Sequence, residues 1–132
     1  MRAKLERSPQ QARREAVSRD ALVQAARQEI TQNYREASLS NVARAYGVSL
    51  AYVSECVRAQ TGRTYKELLQ KHRMETAARL LRRSDLNIQQ IITQVGYENT
   101  SYFYRLFHER YGLSPREYRL VRTGTAPRRP TA

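Results

Sequence analysis

Residues 41–49 read NVARAYGVS and residues 90–98 read QIITQVGYE, so the chain carries one pattern twice, about 50 residues apart. In both copies a short helical stretch leads to a glycine, and a second helical stretch follows, over residues 50–60 or 100–110. The second copy has one extra residue in its turn. A short helix, a turn with glycine and a second helix predict a helix-turn-helix unit, whose second helix fits the DNA major groove.

The apolar residues of each copy predict which sides of the two helices face each other. Gly47 is expected to supply the positive φ of the first turn, and the small side chain of Ala43 lets the helices approach closely. The inward-facing set is Val42, Ala43, Tyr46, Val48, Val53 and Cys56 in the first copy, and Ile91, Ile92, Val95, Tyr97, Phe103 and Leu106 in the second.

Capping signals divide the rest of the chain into helices. Between the copies, apolar residues from Tyr65 to Leu81 recur with the period of one long helix that ends near Arg83. Polar residues that satisfy free backbone amides mark the helix starts. They are Asp20, Thr64 with Glu67, Asn87 with Gln90, and Ser114 with Glu117. No stretch alternates with a period of two, so the predicted fold is all-α, with about seven helices and no sheet.

The predicted organisation has five parts in chain order. They are a basic N-terminal arm (1–18), a first helix-turn-helix subdomain (19–63), a connector helix (64–83), a second helix-turn-helix subdomain (84–121) and a disordered tail (122–132).

Composition restricts the class of function. With 24 Lys and Arg against 12 Asp and Glu, the net charge of +12 over 132 residues favours a polyanionic partner. No apolar run approaches the roughly 20 residues that cross a bilayer, and the N-terminus has no secretory signal, so the cytoplasm is expected. One cysteine and two histidines exclude an internal disulfide and a four-ligand zinc site of thiolates and imidazoles. We expect no cofactor and no metal.

The most specific stretch is residues 95–107, VGYENTSYFYRLF, followed by residues 111–119, YGLSPREYR. Together with residues 39–43 and 47–54 of the first copy, these motifs resemble the DNA-binding region of the AraC/XylS transcription regulators, over about residues 20–119. The resemblance implies two helix-turn-helix subdomains on a long helix, with two recognition helices in successive major grooves. It also implies transcription activation through contact with RNA polymerase.

Most members of that family join this region to a sensor or dimerisation domain. The chain is therefore predicted to be either a stand-alone small regulator or the DNA-binding fragment of a longer one, and its initial methionine favours the first. Two DNA-binding subdomains must lie roughly 34 Å apart to engage one face of B-DNA. Because one chain carries both subdomains, a monomer would read a non-palindromic site on double-stranded DNA.

Positions left outward on the two recognition helices are predicted to face bases. Arg105 is expected to hold guanine O6 and N7, with an intramolecular ion pair as the alternative. Glu55 either accepts from cytosine N4, or forms a solvated pair with Arg58 or weakens DNA binding by the first subdomain. Tyr102 and Tyr104 are candidates to stack or hydrogen-bond at the DNA, and for Tyr102 packing at the helix interface is the favoured alternative. The base-facing set is Ala51, Tyr52, Ser54, Glu55, Arg58, Thr100, Ser101, Tyr104 and Arg105.

A second set is predicted to contact phosphates, through amides at helix starts or through basic side chains. It comprises Ser40, Arg44, Ser49, Lys71, Arg73, Asn99 and Arg110.

Two other functions compete with the regulator. A nonspecific architectural or RNA-binding protein would use the +12 charge without preference for sequence. An enzyme would need a nucleophile such as Cys56, but this residue falls on the inward stripe of its helix, where cysteine is a small apolar residue. His72 takes an apolar-face position on the connector, which is typical of a half-buried structural histidine. The chain is therefore not expected to be an enzyme.

Overall fold

The computed structural model describes residues 17–123, which form seven α-helices and no strand. The helices are α1 (Arg19–Gln32), α2 (Leu39–Tyr46), α3 (Leu50–Thr61), α4 (Tyr65–Arg83), α5 (Ile88–Gln94), α6 (Thr100–Tyr111) and α7 (Pro115–Thr123). The predicted all-α fold with two helix-turn-helix subdomains is confirmed. Helix α7 continues two residues into the predicted tail, and the remaining tail and residues 1–16 of the predicted arm lie outside the described residues.

The chain divides into two compact units inside α4, between Gln70 and Lys71. In the first unit α1, α2 and α3 pack against one another around a single core. The core combines Leu22, Val23, Ala26 and Ile30 of α1 with Val42 and Ala43 of α2 and Val53, Cys56 and Val57 of α3. The apolar spacing of each helix therefore creates one buried stripe, and the three stripes meet.

The second unit is built around the aromatic side chains of α6. Phe103 and Phe107 are fully buried, as are Ile91 and Ile92 of α5. Phe107 stacks on Phe103 at 5.8 Å between ring centroids and contacts the ring of Tyr118 of α7 edge-on at 5.4 Å. The larger residues of this copy therefore fill the core that smaller aliphatic residues fill in the first unit.

The two turns are built with the same hydrogen bonds, although their sequences differ. The glycine of each turn, Gly47 or Gly96, has a positive φ of 66° or 102°. Its N–H donates to a carbonyl three residues back, and the next residue donates to one five residues back, as in a Schellman motif. The bonds are Gly47 to Arg44 (3.3 Å), Val48 to Ala43 (3.0 Å), Gly96 to Thr93 (3.1 Å) and Tyr97 to Ile92 (3.1 Å).

Three of the four predicted helix starts are confirmed, and one is wrong. The side-chain oxygens of Thr64, Asn87 and Ser114 each accept a hydrogen bond from the backbone N–H three residues on. In return, the side chains of Glu67, Gln90 and Glu117 accept from the backbone N–H of the capping residue. The first described helix is capped by Ser18 rather than by Asp20. Extended backbone at Ser18 (φ −69°, ψ 153°) brings its hydroxyl 3.0 Å from the amide of Ala21, which starts the helix before Asp20.

The predicted inward stripes are confirmed for their central residues and are too wide at their edges. Leu106, Tyr46 and Tyr97 are half-buried rather than buried. The connector α4 also buries Met74, Thr76 and Ala78, which the predicted face omitted.

The carboxylate of Glu29 in α1 ties together the loop that leads into α2. It accepts hydrogen bonds from Asn41 Nδ2 (2.8 Å), the backbone N–H of Ser38 (3.2 Å) and Asn33 Nδ2 (3.2 Å). Burial raises the pKa of Glu29, but the bonds from Asn41, Ser38 and Asn33 together lower it by more, so the pKa lies below its ordinary value of 4.5. The ionised form is therefore the form that the fold stabilises.

We expect Glu29→Gln to lower the free energy of unfolding by about 1 kcal/mol at pH 7, because the amide loses the charge-assisted bonds. Since folding lowers the pKa of Glu29, its contribution is fully present above the unfolded-state pKa and is lost as the pH falls through the folded-state pKa. The difference between wild type and variant should therefore shrink below pH 4.5 in urea denaturation series.

The matched control is Glu36→Gln, which removes an exposed carboxylate from the same loop and should leave stability almost unchanged at every pH. A Glu29→Gln deficit that stays constant down to about pH 3 would contradict the role of the ionised carboxylate.

In the second unit Arg119 closes the end of α4. Its Nε donates to the carbonyl of Leu81 at 3.0 Å, and its Nη2 donates to the carbonyl of Ser84 at 3.1 Å. A cation on the last carbonyls of a helix also interacts favourably with the helix dipole. The final arginine of the stretch 111–119 therefore holds α7 against the connector.

Candidate nucleic-acid interface

Helices α3 and α6 are the second helices of the two turns, and each has one buried and one exposed side. Val53, Cys56 and Val57 are fully buried in α3, as are Phe103 and Phe107 in α6. On the opposite side, eight of the nine predicted base-facing residues are exposed: Ala51, Ser54, Glu55, Arg58, Thr100, Ser101, Tyr104 and Arg105. The ninth, Tyr52, is half-buried against the first core.

Both helices begin with a capped amide at the same position. Ser49 Oγ accepts from the N–H of Tyr52 at 3.1 Å, and Asn99 Oδ1 accepts from the N–H of Tyr102 at 2.9 Å. Capping occupies one amide of each first turn and leaves the others directed outward from the helix start. Both starts therefore retain the partial positive charge that favours a phosphate.

The start of α2 differs from these two. The hydroxyl of Ser38 accepts from the amide of Ser40 at 3.1 Å, and the Glu29 carboxylate accepts from the amide of Ser38. An anion of the chain itself therefore already occupies this helix start, and Ser40 is half-buried beside it. Of the three predicted amide sites, those near Ser49 and Asn99 are the more accessible to a phosphate.

Two of the predicted phosphate-binding cations share one carboxylate in the second unit. Lys71 Nζ lies 3.3 Å from Glu75 Oε2, and Arg110 Nη2 lies 3.6 Å from the same oxygen. All three side chains are at least one-third exposed, so the pairs are weakened by solvent and can exchange for a phosphate.

The remaining two predicted phosphate-binding cations have different surroundings. The guanidinium of Arg73 lies over the ring of Tyr97, 5.2 Å from its centroid, and Arg73 is half-buried. Arg44 is exposed and donates to Asn41 Oδ1 at 3.4 Å.

Arg105 stacks on an aromatic ring instead of pairing with an acid. Its guanidinium carbon lies 5.2 Å from the ring centroid of Tyr102, and the two residues line a shallow concavity with Asn99 and Ser101. Within residues 17–123 no carboxylate forms an ion pair with Arg105. Tyr102 is half-buried and meets Tyr97 edge-on at 6.0 Å, which agrees with its predicted packing role.

Glu55 and Arg58 are both exposed on α3, and no ion pair joins them in the described part of the chain. The predicted solvated pair is therefore not formed, and the carboxylate of Glu55 is directed away from the core. Glu55 occupies the position that corresponds to Arg105 in the second unit. The N-caps Ser49 and Asn99 are 50 residues apart, so each residue of α3 corresponds to the residue 50 positions later in α6.

Two side chains at this surface were missed by the sequence reasoning. Leu50, the first residue of α3, is 49% exposed although it is a large apolar residue, which suits contact with a thymine methyl group. Arg19 lies over the ring of Tyr52 at 5.7 Å. The exposed position of Leu50 at a helix start could have been found from spacing, whereas Arg19 has no signal because it is 33 residues from Tyr52 in the chain.

Cys56 and His72 have structural surroundings. Cys56 is a free, fully buried thiol in the core of the first unit. Burial, and in smaller part the Arg79 guanidinium, lower the pKa of His72, which is half-buried on α4. Among the described residues no group of three His, Cys, Asp or Glu side chains is arranged to hold a metal ion. No described helix combines the length and apolarity that crossing a membrane requires.

Two helix-turn-helix units with exposed second helices define a protein of the helix-turn-helix class. A family model described as a helix-turn-helix domain matches residues 42–120, which is more than half of the chain. The chain belongs to the AraC/XylS-type helix-turn-helix family of DNA-binding transcription regulators.

Relatives of known class support this membership. The chain is 37% identical to the transcriptional activator NphR of a Rhodococcus species over 92 residues, which cover 68% of this chain and 27% of NphR. It is 29% identical to the transcriptional activator PerA of Escherichia coli O127:H6 over 114 residues, which cover 82% of this chain and 39% of PerA. The chain thus spans well under half the length of either relative.

Solved structures share the fold. The C-terminal domain of AraT, a response regulator from Geobacillus stearothermophilus, is 37% identical, with a TM-score of 0.71 over 76% of this chain and 85% of that one. The DNA-binding domain of AdpA, solved in complex with a target DNA, is 21% identical, with a TM-score of 0.67 over 76% of this chain and 90% of that one. At this lower identity the AdpA likeness shows the fold alone.

Proposed function

We propose that the chain recognises a specific duplex DNA site by placing α3 and α6 in successive major grooves, and that it regulates transcription there. This proposal rests mainly on the amphipathic character of α3 and α6. Each helix is fixed by buried side chains on one side and exposes polar and charged side chains on the other. A helix held in this way can present its side chains to base edges without losing its packing.

The proposed base-reading and phosphate-binding residues are those derived from the sequence, with Arg105 as the principal base contact. Its guanidinium has no acidic partner among residues 17–123, and stacking on Tyr102 leaves its N–H edges available for guanine O6 and N7. We also propose residues 19–63 and 84–121 as the two DNA-binding subdomains and residues 64–83 as their connector.

Activation through contact with RNA polymerase, and binding as a monomer, are part of the same proposal. The family resemblance and the names of NphR and PerA as transcriptional activators support activation. Two turns within one chain support monomeric binding, because one copy then supplies both recognition helices.

The test is selection of binding sites from a random duplex library at about 150 mM salt, followed by footprinting of the selected site. We expect one asymmetric motif, bound at least about 10³-fold more tightly than random duplex, with two protected major-groove segments roughly one helical turn apart. If no motif is enriched and binding falls steeply as salt rises, the nonspecific architectural or RNA-binding function would replace this proposal.

A further inference from the structure

The two recognition helices share an arrangement that the sequence repeat does not show. Each has a tyrosine at its third helical position, Tyr52 in α3 and Tyr102 in α6, and the N–H of each tyrosine is capped by the residue before the helix. Each ring also carries a guanidinium group on its face. Arg19 lies over Tyr52 at 5.7 Å, and Arg105 lies over Tyr102 at 5.2 Å.

The two guanidinium groups reach these rings from different places in the chain. Arg105 is three residues beyond Tyr102 on the same helix, but the residue three beyond Tyr52 is Glu55. In the first unit the cation comes instead from Arg19, the first residue of α1. A different element therefore supplies the guanidinium that faces the tyrosine of this recognition helix.

The groups around Arg19 position its guanidinium and favour its charged form. Its hydrogen bond with Tyr52 is the largest cause of a raised pKa for Arg19, and the Glu55 carboxylate adds a smaller attraction. Arg19 is nevertheless exposed, so its remaining N–H groups face solvent. A guanidinium stacked on a ring loses little freedom when it binds an anion, and its planar fork matches two phosphate oxygens.

The negative charge of Glu55, the sixth residue of α3, favours a cation nearby. Glu55 is an exposed carboxylate on the side of α3 that the proposed function turns to DNA, where it is repelled by phosphates. We propose that Arg19, positioned on Tyr52, binds a DNA phosphate beside the start of α3, whereas Arg105, on the corresponding ring of the second unit, is the proposed base contact. This inference rests on the proposed function for the orientation of α3.

The experiment compares wild type, Arg19→Ala and Arg27→Ala at several salt concentrations, on the selected site and on a random duplex of equal length. Arg27 is the matched control, because it is an exposed arginine of the same helix, about two turns beyond Arg19. We expect Arg19→Ala to weaken binding about tenfold on both duplexes. The slope of log K against log salt should fall by about 0.9, the value for one phosphate contact, while base preferences remain those of wild type. Arg27→Ala should keep the wild-type affinity and slope.

Two results would overturn the assignment. Affinity and salt slope equal to wild type in Arg19→Ala, with equal thermal stability, would show that Arg19 makes no phosphate contact. A change of preference at one base pair would show that it reads a base instead. The random duplex separates this test from the proposed function, since a phosphate contact persists there even if the wild-type protein selects no motif.

Discussion

Phe107→Ala is expected to lower the free energy of unfolding of the second unit by about 3–5 kcal/mol, the largest effect that we predict for any single substitution in this chain. Phe107 is fully buried, and three rings surround it: Phe103 at 5.8 Å, Tyr111 at 4.6 Å and Tyr118 at 5.4 Å between centroids. Alanine would leave a cavity and remove aromatic contacts that join α6 to α7. At about 0.05–0.15 kcal/mol per residue, a unit of this size is stable by only about 3–9 kcal/mol, so the substitution would remove much or all of its stability.

Amide hydrogen exchange measures this effect separately in each unit. Protection should fall in residues 88–123 and remain near wild type in residues 19–61, whose core contains neither Phe107 nor its neighbours. His108→Ala is the matched control, since it changes the next, exposed residue of the same helix and should leave protection intact. Equal losses of protection in both units of Phe107→Ala would contradict the separate cores.

Arg105→Ala is expected to have the largest effect on recognition without unfolding the protein. Loss of a bidentate contact with guanine should cost roughly 1–3 kcal/mol of binding free energy and relax the preference at one base pair of the site. The side chain is exposed and stacks only on Tyr102, so the second core remains packed. Site selection repeated with the variant measures both the affinity and the base preference.

Two further variants make this result specific. Arg105→Lys keeps the charge but lacks the fork, so it should recover part of the affinity and little of the base preference. Lys71→Ala should weaken binding evenly over all sequences, because a phosphate contact carries no base information. An Arg105→Ala variant with the wild-type preference at every position would remove Arg105 from the base-reading residues.

The exposed sides of α3 and α6 could largely be predicted because they follow from helical period and local capping. Val53, Cys56 and Val57 are spaced to face inward, which leaves Ser54, Glu55 and Arg58 outward on the same helix. The turns were equally readable, since a glycine with a positive φ and the bonds around it involve residues at most five apart. Errors arose at the margins of packing, as at Leu106, where burial depends on how far the neighbouring helix extends.

The sequence by itself determined the seven helices, their turns and most of their caps, because these depend on interactions between residues within about one helical turn. Only the tertiary structure decided which distant side chains meet. It brings Arg19 to Tyr52, the Glu29 carboxylate to the start of α2, and Arg119 to the end of α4 across 38 residues of chain. The physical reason is that a surface arginine or glutamate carries no periodic signal of its partner, and the partner is fixed only when packing of the apolar stripes sets the positions of the helices.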